Sequence, residues 1–185
     1  MGLKSFNNKK KILIIAEIGN NHEGSLENAK KLIKLASKAG ADAVKFQTFV
    51  TKNFVLKNDN LKRYNLLSKF ELSHKDFLTL KNYSIKNKIQ FISTPLDLES
   101  ADFLIKHIDI IKIASGDNNF FPLIEKLVKS NKKVIISTGM ADLKNIIEVD
   151  KFVKKKIGKS LCRKNISYLH CVSSYPVNDK DANLK

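Results

Sequence analysis

Residues 14–49 read IIAEIGNNHEGSLENAKKLIKLASKAGADAVKFQTF: a short apolar run ending in a carboxylate and a glycine, an amphipathic stretch, and a second apolar run ending in Lys45, Phe46 and Gln47. This order constrains the chain strongly. Two short apolar runs separated by a helix pair as parallel strands, and the helix crosses back over one face of the sheet in a right-handed sense. Glu17 is expected to close the first strand, and Lys45 and Gln47 the second. Charged groups then stand at strand exits, the edge at which α/β enzymes keep their chemistry.

The alternation continues along the chain. Strands are expected near residues 12–16, 43–47, 90–93, 110–114, 134–137 and 167–170, and helices near 26–39, 75–87, 98–106, 122–130 and 143–156. Ser25 precedes the first helix, Gly40 follows it, and Ser73 with Asp76 has the spacing of a capping box. Such short apolar strands imply a parallel sheet covered by helices, either a closed (β/α)8 TIM barrel or an open doubly wound sheet. An open sheet gathers its polar groups at one switch point. Here nearly every strand exits with one: Glu17, Lys45 with Gln47, Ser93 with Thr94, Lys112 with Ser115, Ser137 with Thr138, and His170. The barrel is therefore the favoured α/β architecture. A closed barrel takes eight strands, so residues 12–185 are expected to supply about its first six βα units, after a polar basic tail over 1–11. The stretch 52–72 is long for a strand-to-helix connection and is expected to be a functional loop at the mouth.

A length of 185 residues with 43% hydrophobic content suits an ordered domain. No apolar run approaches the roughly 20 residues that span a bilayer, and the start lacks a signal-peptide pattern, so a soluble, cytoplasmic protein with no membrane partner is expected. Cys162 and Cys171 have no metal-type spacing and read as reduced thiols. The net charge of +16 raises nucleic acid as a partner. Arginine occurs only at Arg63 and Arg163, however, while lysines spread over the helix surfaces with no interleaved aromatics. The basic runs at 9–11 and 154–156 read as a solvated tail and a helix end. No nucleic acid is expected, whereas attraction of anionic small molecules fits.

Lys45 in AVKFQ and Lys112 in IIKIASGD lie inside apolar strands, where an unpaired ammonium is costly. Two readings are open: structural ion pairs, with Glu17 or Asp117 as partners, or a cradle for phosphate or carboxylate shared with Ser115 and Ser137. Residues 114–119, ASGDNN, form a turn that can receive an anion on its backbone amides and that also occurs without one. Glu17, followed by Gly19, Asn20, Asn21 and His22, suits acid–base or metal chemistry, or a plain salt bridge. His170 is expected to be buried and hydrogen-bonded, and His74 and His107 to lie on surface helices. Glu17, Lys45 and Lys112 together are expected to surround one opening that grips a small, doubly anionic metabolite.

In order along the chain, AEIGNNHEGS with Glu17, KFQT from Lys45, STP with Thr94, KIASGD from Lys112, STGM from Ser137 and HCVSSYP from His170 resemble the N-acetylneuraminate (sialic acid) synthase family. The resemblance implies a (β/α)8 barrel with a C-terminal antifreeze-like domain that this chain does not contain. It implies condensation of phosphoenolpyruvate with an N-acetylmannosamine-type sugar and release of phosphate, with a divalent metal, Mn2+ or Mg2+, in a domain-swapped homodimer. By motif position, Lys45, Lys112, Ser115, Ser137 and Ser173 would hold phosphoenolpyruvate. Gln47, Thr94 and Tyr175 would hold the sugar, and Glu17 and Asp117 would be catalytic. Many members have Glu where this chain has Asp117, and some have Asn where it has Ser173. The family's metal-binding histidines would lie beyond Lys185, so no metal ligand is expected in this chain, and the piece alone is expected to be inactive. The motif KFQTF leans toward N-acetylneuraminate or legionaminate over pseudaminate as the product. Two other readings stand beside this one. The first is a 3-deoxy sugar acid synthase using phosphoenolpyruvate, against which AEIGNNHEGS argues; the second is a non-catalytic truncated remnant or anion-binding protein.

Overall fold

The computed structural model describes residues 12–184, so the stretch 1–11 expected as a tail lies outside the described residues. Described residues up to Ile108 form one compact unit, and those from Asp109 onward form a second.

In the first unit, β1 (Ile15–Gly19) leads through α1 (Leu26–Lys38) to its parallel neighbour β2 (Ala43–Thr48). The helix starts where Ser25 accepts the Asn28 N–H, and it buries Ala29 and Ile33 on one stripe. Gly40 then turns the chain at φ +84°, a left-handed conformation that glycine adopts at little steric cost. Two helices follow β2, α2 (Thr51–Phe54) and α3 (Leu61–Phe70), before α4 (His74–Lys86) returns to the parallel strand β3 (Gln90–Pro95). The expected capping box between Ser73 and Asp76 opens α4. Asp97 caps α5 (Leu98–His107), which closes the unit. Val44, Phe46, Phe77, Leu80, Ile92 and Leu104 are buried together in this unit, each contributing about 1.5–3 kcal/mol.

Two expectations are corrected here. The first strand begins at Ile15 rather than Ile12, because the ladder starts only where β2 offers a partner, Ala43. Ile12 and Ile14 remain 85% and 59% exposed. Glu17 therefore lies inside β1 rather than closing it. The stretch 52–72 is also not a loop. Its two helices are short, and α3 buries no residue fully: Tyr64, Leu67 and Phe70 on one face are only half-buried. Their ends are held by polar clamps: the Glu71 carboxylate accepts from the Thr51 N–H and hydroxyl at 2.7 and 2.5 Å, and Asp97 accepts from the Val50 N–H at 2.8 Å.

The second unit repeats the pattern with β4 (Ile110–Ile113), α6 (Phe121–Lys129), β5 (Lys133–Ser137), α7 (Leu143–Asn165) and β6 (Ile166–Leu169), the strands again parallel and in chain order. A 3-10 turn at Ser115–Asp117 links β4 to α6. Helix α7 continues well past residue 156, with a break at Gly158, because Val153 and Cys162 are buried on either side of the break and anchor both segments. Among the described residues, six strands alternating with helices give the α/β class expected, five βα units and a sixth strand against the eight units that close a TIM-type barrel.

Candidate functional site

In the first unit, the parallel register sets Glu17 directly opposite Lys45, and the carboxylate and ammonium meet at 2.9 Å. The Lys45 side chain is 6% exposed and that of Glu17 59%, so a buried cation reaches a carboxylate at the edge of solvent. The pair offsets the desolvation of the ammonium, which would otherwise be costly. The ion pair with Glu17, one of the readings open for Lys45, is formed.

Side chains alternate along a strand, so Gln47 shares a face with Lys45, and Thr94 of β3 stands opposite Gln47. The Thr94 hydroxyl is buried and has no hydrogen-bond partner among the described residues. A buried polar group left so costs about 1–3 kcal/mol, which suits this hydroxyl to a polar ligand or a water. The other face of β2 is apolar, with Phe46 stacked 5.2 Å from Phe91.

A bulge between Glu17 and Gly19 precedes the last pair of the ladder, Gly19 with Phe46, and the chain then runs to His22. The Nδ1 of His22 accepts from the Gly24 N–H at 3.1 Å, and burial holds the imidazole pKa below its usual value. The ring is thus neutral, with its proton on Nε2, and packs 5.9 Å from Phe46, whose side chain points away from Lys45.

In the second unit, Lys112 Nζ donates to Ser137 Oγ at 2.5 Å, and Cys171 Sγ lies 3.4 Å from the same oxygen. Ser115 and Ser173 both face Gly139: a Cβ built there would stand 2.7 Å from Ser115 Oγ and 2.5 Å from Ser173 Oγ. The absent side chain lets both hydroxyls close on the backbone of Gly139. The segment is pinned, since the Gly139 carbonyl accepts from the buried Asn118 amide at 2.9 Å and the Thr138 hydroxyl donates to the Leu169 carbonyl at 2.8 Å. One ammonium, three hydroxyls and a bare backbone are together suited to an anion. Desolvation pushes the Asp117 carboxyl above the usual carboxylate range, so it keeps its proton to a higher pH than an exposed aspartate.

Lys112, Ser115, Ser137 and Ser173 are thus brought together within one unit, as are Glu17, Lys45, Gln47 and Thr94 in the other. Tyr175 is not packed into either group, being 98% exposed. His170 departs from expectation: it lies just past β6 and is exposed, with Nε2 2.8 Å from the Ala182 carbonyl. His74 and His107 lie on α4 and α5 as expected, on either side of Phe103. Sequence reasoning misses Gly139, Asn118 and Cys171 as parts of the cluster. The one available signal was a glycine two residues past the end of an apolar strand. Among the described residues, no group of three or more His, Cys, Asp or Glu side chains could hold a metal ion.

The sequence profile of the NeuB family matches residues 32–185. An uncharacterised protein of Methanocaldococcus jannaschii is 47% identical over 172 residues, which cover 92% of this chain and 49% of that protein. The N,N'-diacetyllegionaminic acid synthase of Campylobacter jejuni is 42% identical over 189 residues, covering 95% of this chain and 56% of that enzyme. The crystal structure of the N-acetylneuraminic acid (sialic acid) synthetase from Leptospira borgpetersenii serovar Hardjo-bovis in complex with citrate is similar at a TM-score of 0.84 and 38% identity, over 93% of this chain and 58% of that one. The chain spans about half the length of the curated relatives it matches.

Proposed function

The chain belongs to the NeuB family, and from that membership we propose that the whole protein is a sialic acid (nonulosonic acid) synthase, a transferase joining phosphoenolpyruvate to N-acetylmannosamine or a related 2-acetamido sugar with release of phosphate. The observation that carries the reading is the cluster of the second unit, in which Lys112 bonds to Ser137 while Ser115 and Ser173 flank the bare backbone of Gly139. The Campylobacter jejuni relative is a legionaminic acid synthase by name, which supports a legionaminate-type or N-acetylneuraminate-type product.

In the proposed reaction the enol carbon of phosphoenolpyruvate bonds to the aldehyde carbon of the open-chain sugar. Water adds at the carbon bearing the phosphate ester, and phosphate departs as the keto acid forms. Lys45, Lys112, Ser115, Ser137 and Ser173 hold the phosphate and carboxylate of phosphoenolpyruvate by charge-assisted and hydroxyl hydrogen bonds. Gln47, Thr94 and Tyr175 position the sugar and the water. Glu17, tied to Lys45 on one side and open to solvent on the other, takes the proton of the water, and the desolvated Asp117 stands beside the reacting centre. A divalent cation, Mn2+ or Mg2+, is proposed from the resemblance alone; the described residues offer it no cluster, and no step above runs through it. A homodimer and a cytoplasmic location belong to the same proposal. No helix among the described residues is long and apolar enough to cross a membrane. For six strands by themselves, short of the eight that close a barrel, we propose no catalysis.

The test is phosphate release and nonulosonic acid formation by the intact protein given phosphoenolpyruvate, N-acetylmannosamine and Mn2+. Release that needs both substrates is the expected result. Binding of phosphoenolpyruvate with no turnover on any 2-acetamido sugar would favour an anion-binding protein instead. A sharper test of the cradle is Gly139→Ala. Its methyl group would stand 2.5 Å from Ser173 Oγ and 2.7 Å from Ser115 Oγ, closer than real contacts allow, so the serines must move apart. Calorimetric titration with phosphoenolpyruvate should show about a tenfold loss of affinity, the scale of one or two neutral hydrogen bonds, with the fold retained.

A further inference from the structure

Ser137 Oγ has two lone pairs and one hydrogen. Lys112 Nζ donates to one lone pair at 2.5 Å, and an ammonium can accept nothing in return. Cys171 Sγ, 3.4 Å away, is the second neighbour of the same oxygen. The thiol also lies 3.5 Å from the Leu169 carbonyl, which could compete for its hydrogen. That carbonyl already accepts the Thr138 N–H at 3.1 Å and the Thr138 hydroxyl at 2.8 Å, so both of its lone pairs are taken. The thiol hydrogen is left to Ser137.

We infer that Cys171 is a positioning residue: its S–H fills the second lone pair of Ser137 Oγ and so commits the Ser137 hydroxyl to donate to the bound anion. Phosphate and carboxylate oxygens only accept hydrogen bonds, so a hydroxyl with both lone pairs occupied is oriented for them before they arrive. With Cys171 removed, Ser137 keeps one open lone pair, and its hydroxyl can instead accept from water. The inference rests on the proposed role of Ser137 in holding phosphoenolpyruvate.

The experiment is a double-mutant cycle in the intact protein, with phosphoenolpyruvate affinity measured by calorimetric titration for Cys171→Ala, Ser137→Ala and the double variant, alongside Cys171→Ser. Cys171→Ala should weaken binding about fivefold, the scale of one neutral hydrogen bond. Cys171→Ser, which restores a donor, should recover most of that loss. In the Ser137→Ala background, Cys171→Ala should have no further effect, because the oxygen it acts through is gone. An unchanged affinity in Cys171→Ala, or the same loss in both backgrounds, would overturn the inference while leaving the anion site standing. A wild-type protein that binds no phosphoenolpyruvate would remove the reading of the site, and this inference with it.

Discussion

Replacing Lys112 with alanine should weaken phosphoenolpyruvate binding by roughly 100-fold without unfolding the protein. Lys112 supplies the ammonium that reaches Ser137, and hydrogen bonds carrying a formal charge are about twice as strong as neutral ones. Removing one partner of a desolvated charge pair typically costs about 2–5 kcal/mol, and about 1.4 kcal/mol is a factor of ten. Lys112 is only half-buried, which places the effect in the lower part of that range. The fold should tolerate the change because the flanking Ile111 and Ile113 remain buried. Lys112→Met separates charge from packing: it keeps the apolar stem and should lose nearly as much affinity as alanine. Calorimetric titration reads both variants. Wild-type affinity in Lys112→Met would take Lys112 out of the binding site.

The largest effect on stability is expected from Gly24→Ala. Gly24 sits at φ +79°, and a Cβ there would stand 2.0 Å from the Lys69 carbonyl oxygen and 3.1 Å from its carbon. The obstacle is backbone at the end of α3, so no side-chain rotation relieves it. A left-handed conformation costs an alanine about 1–2 kcal/mol, and forced displacement of packed atoms about 1–3 kcal/mol more. Gly40→Ala is the internal comparison. Its φ of +84° carries the same conformational cost, but nothing lies within 4 Å of its Cβ. Urea unfolding should therefore show Gly24→Ala destabilised by at least about 1 kcal/mol more than Gly40→Ala. Amide exchange at 61–70 should accelerate only in the first. Equal midpoints for the two variants would mean that the contact with Lys69 yields freely.

What was legible in the sequence was what short-range chemistry decides. The cap at Ser25, the capping box at Ser73, the start of β2 and the need of Lys45 for a partner, with Glu17 among the candidates, follow from spacing and from the cost of an unpaired buried ammonium. The start of β1 was not legible, because Ile12 is as apolar as Ile15 and only the location of Ala43 on the neighbouring strand separates them. Helix α3 was hidden because none of its residues is fully buried. In the candidate site, Lys112, Ser115 and Ser137 stood out as polar residues at strand exits. The role of Cys171 depends on which lone pairs of Ser137 and Leu169 are already taken, and no one-dimensional pattern carries that information.

Helix α3 meets Gly24 through the backbone at Lys69 and buries no side chain fully, with Tyr64, Leu67 and Phe70 half-buried and the other residues exposed. Its exposed residues therefore carry few packing demands. Mutation can rewrite them over generations at little risk to folding, provided that helical propensity survives. The same tolerance makes α3 a natural graft point for a fluorescent or affinity label, with the interior of the first unit left undisturbed.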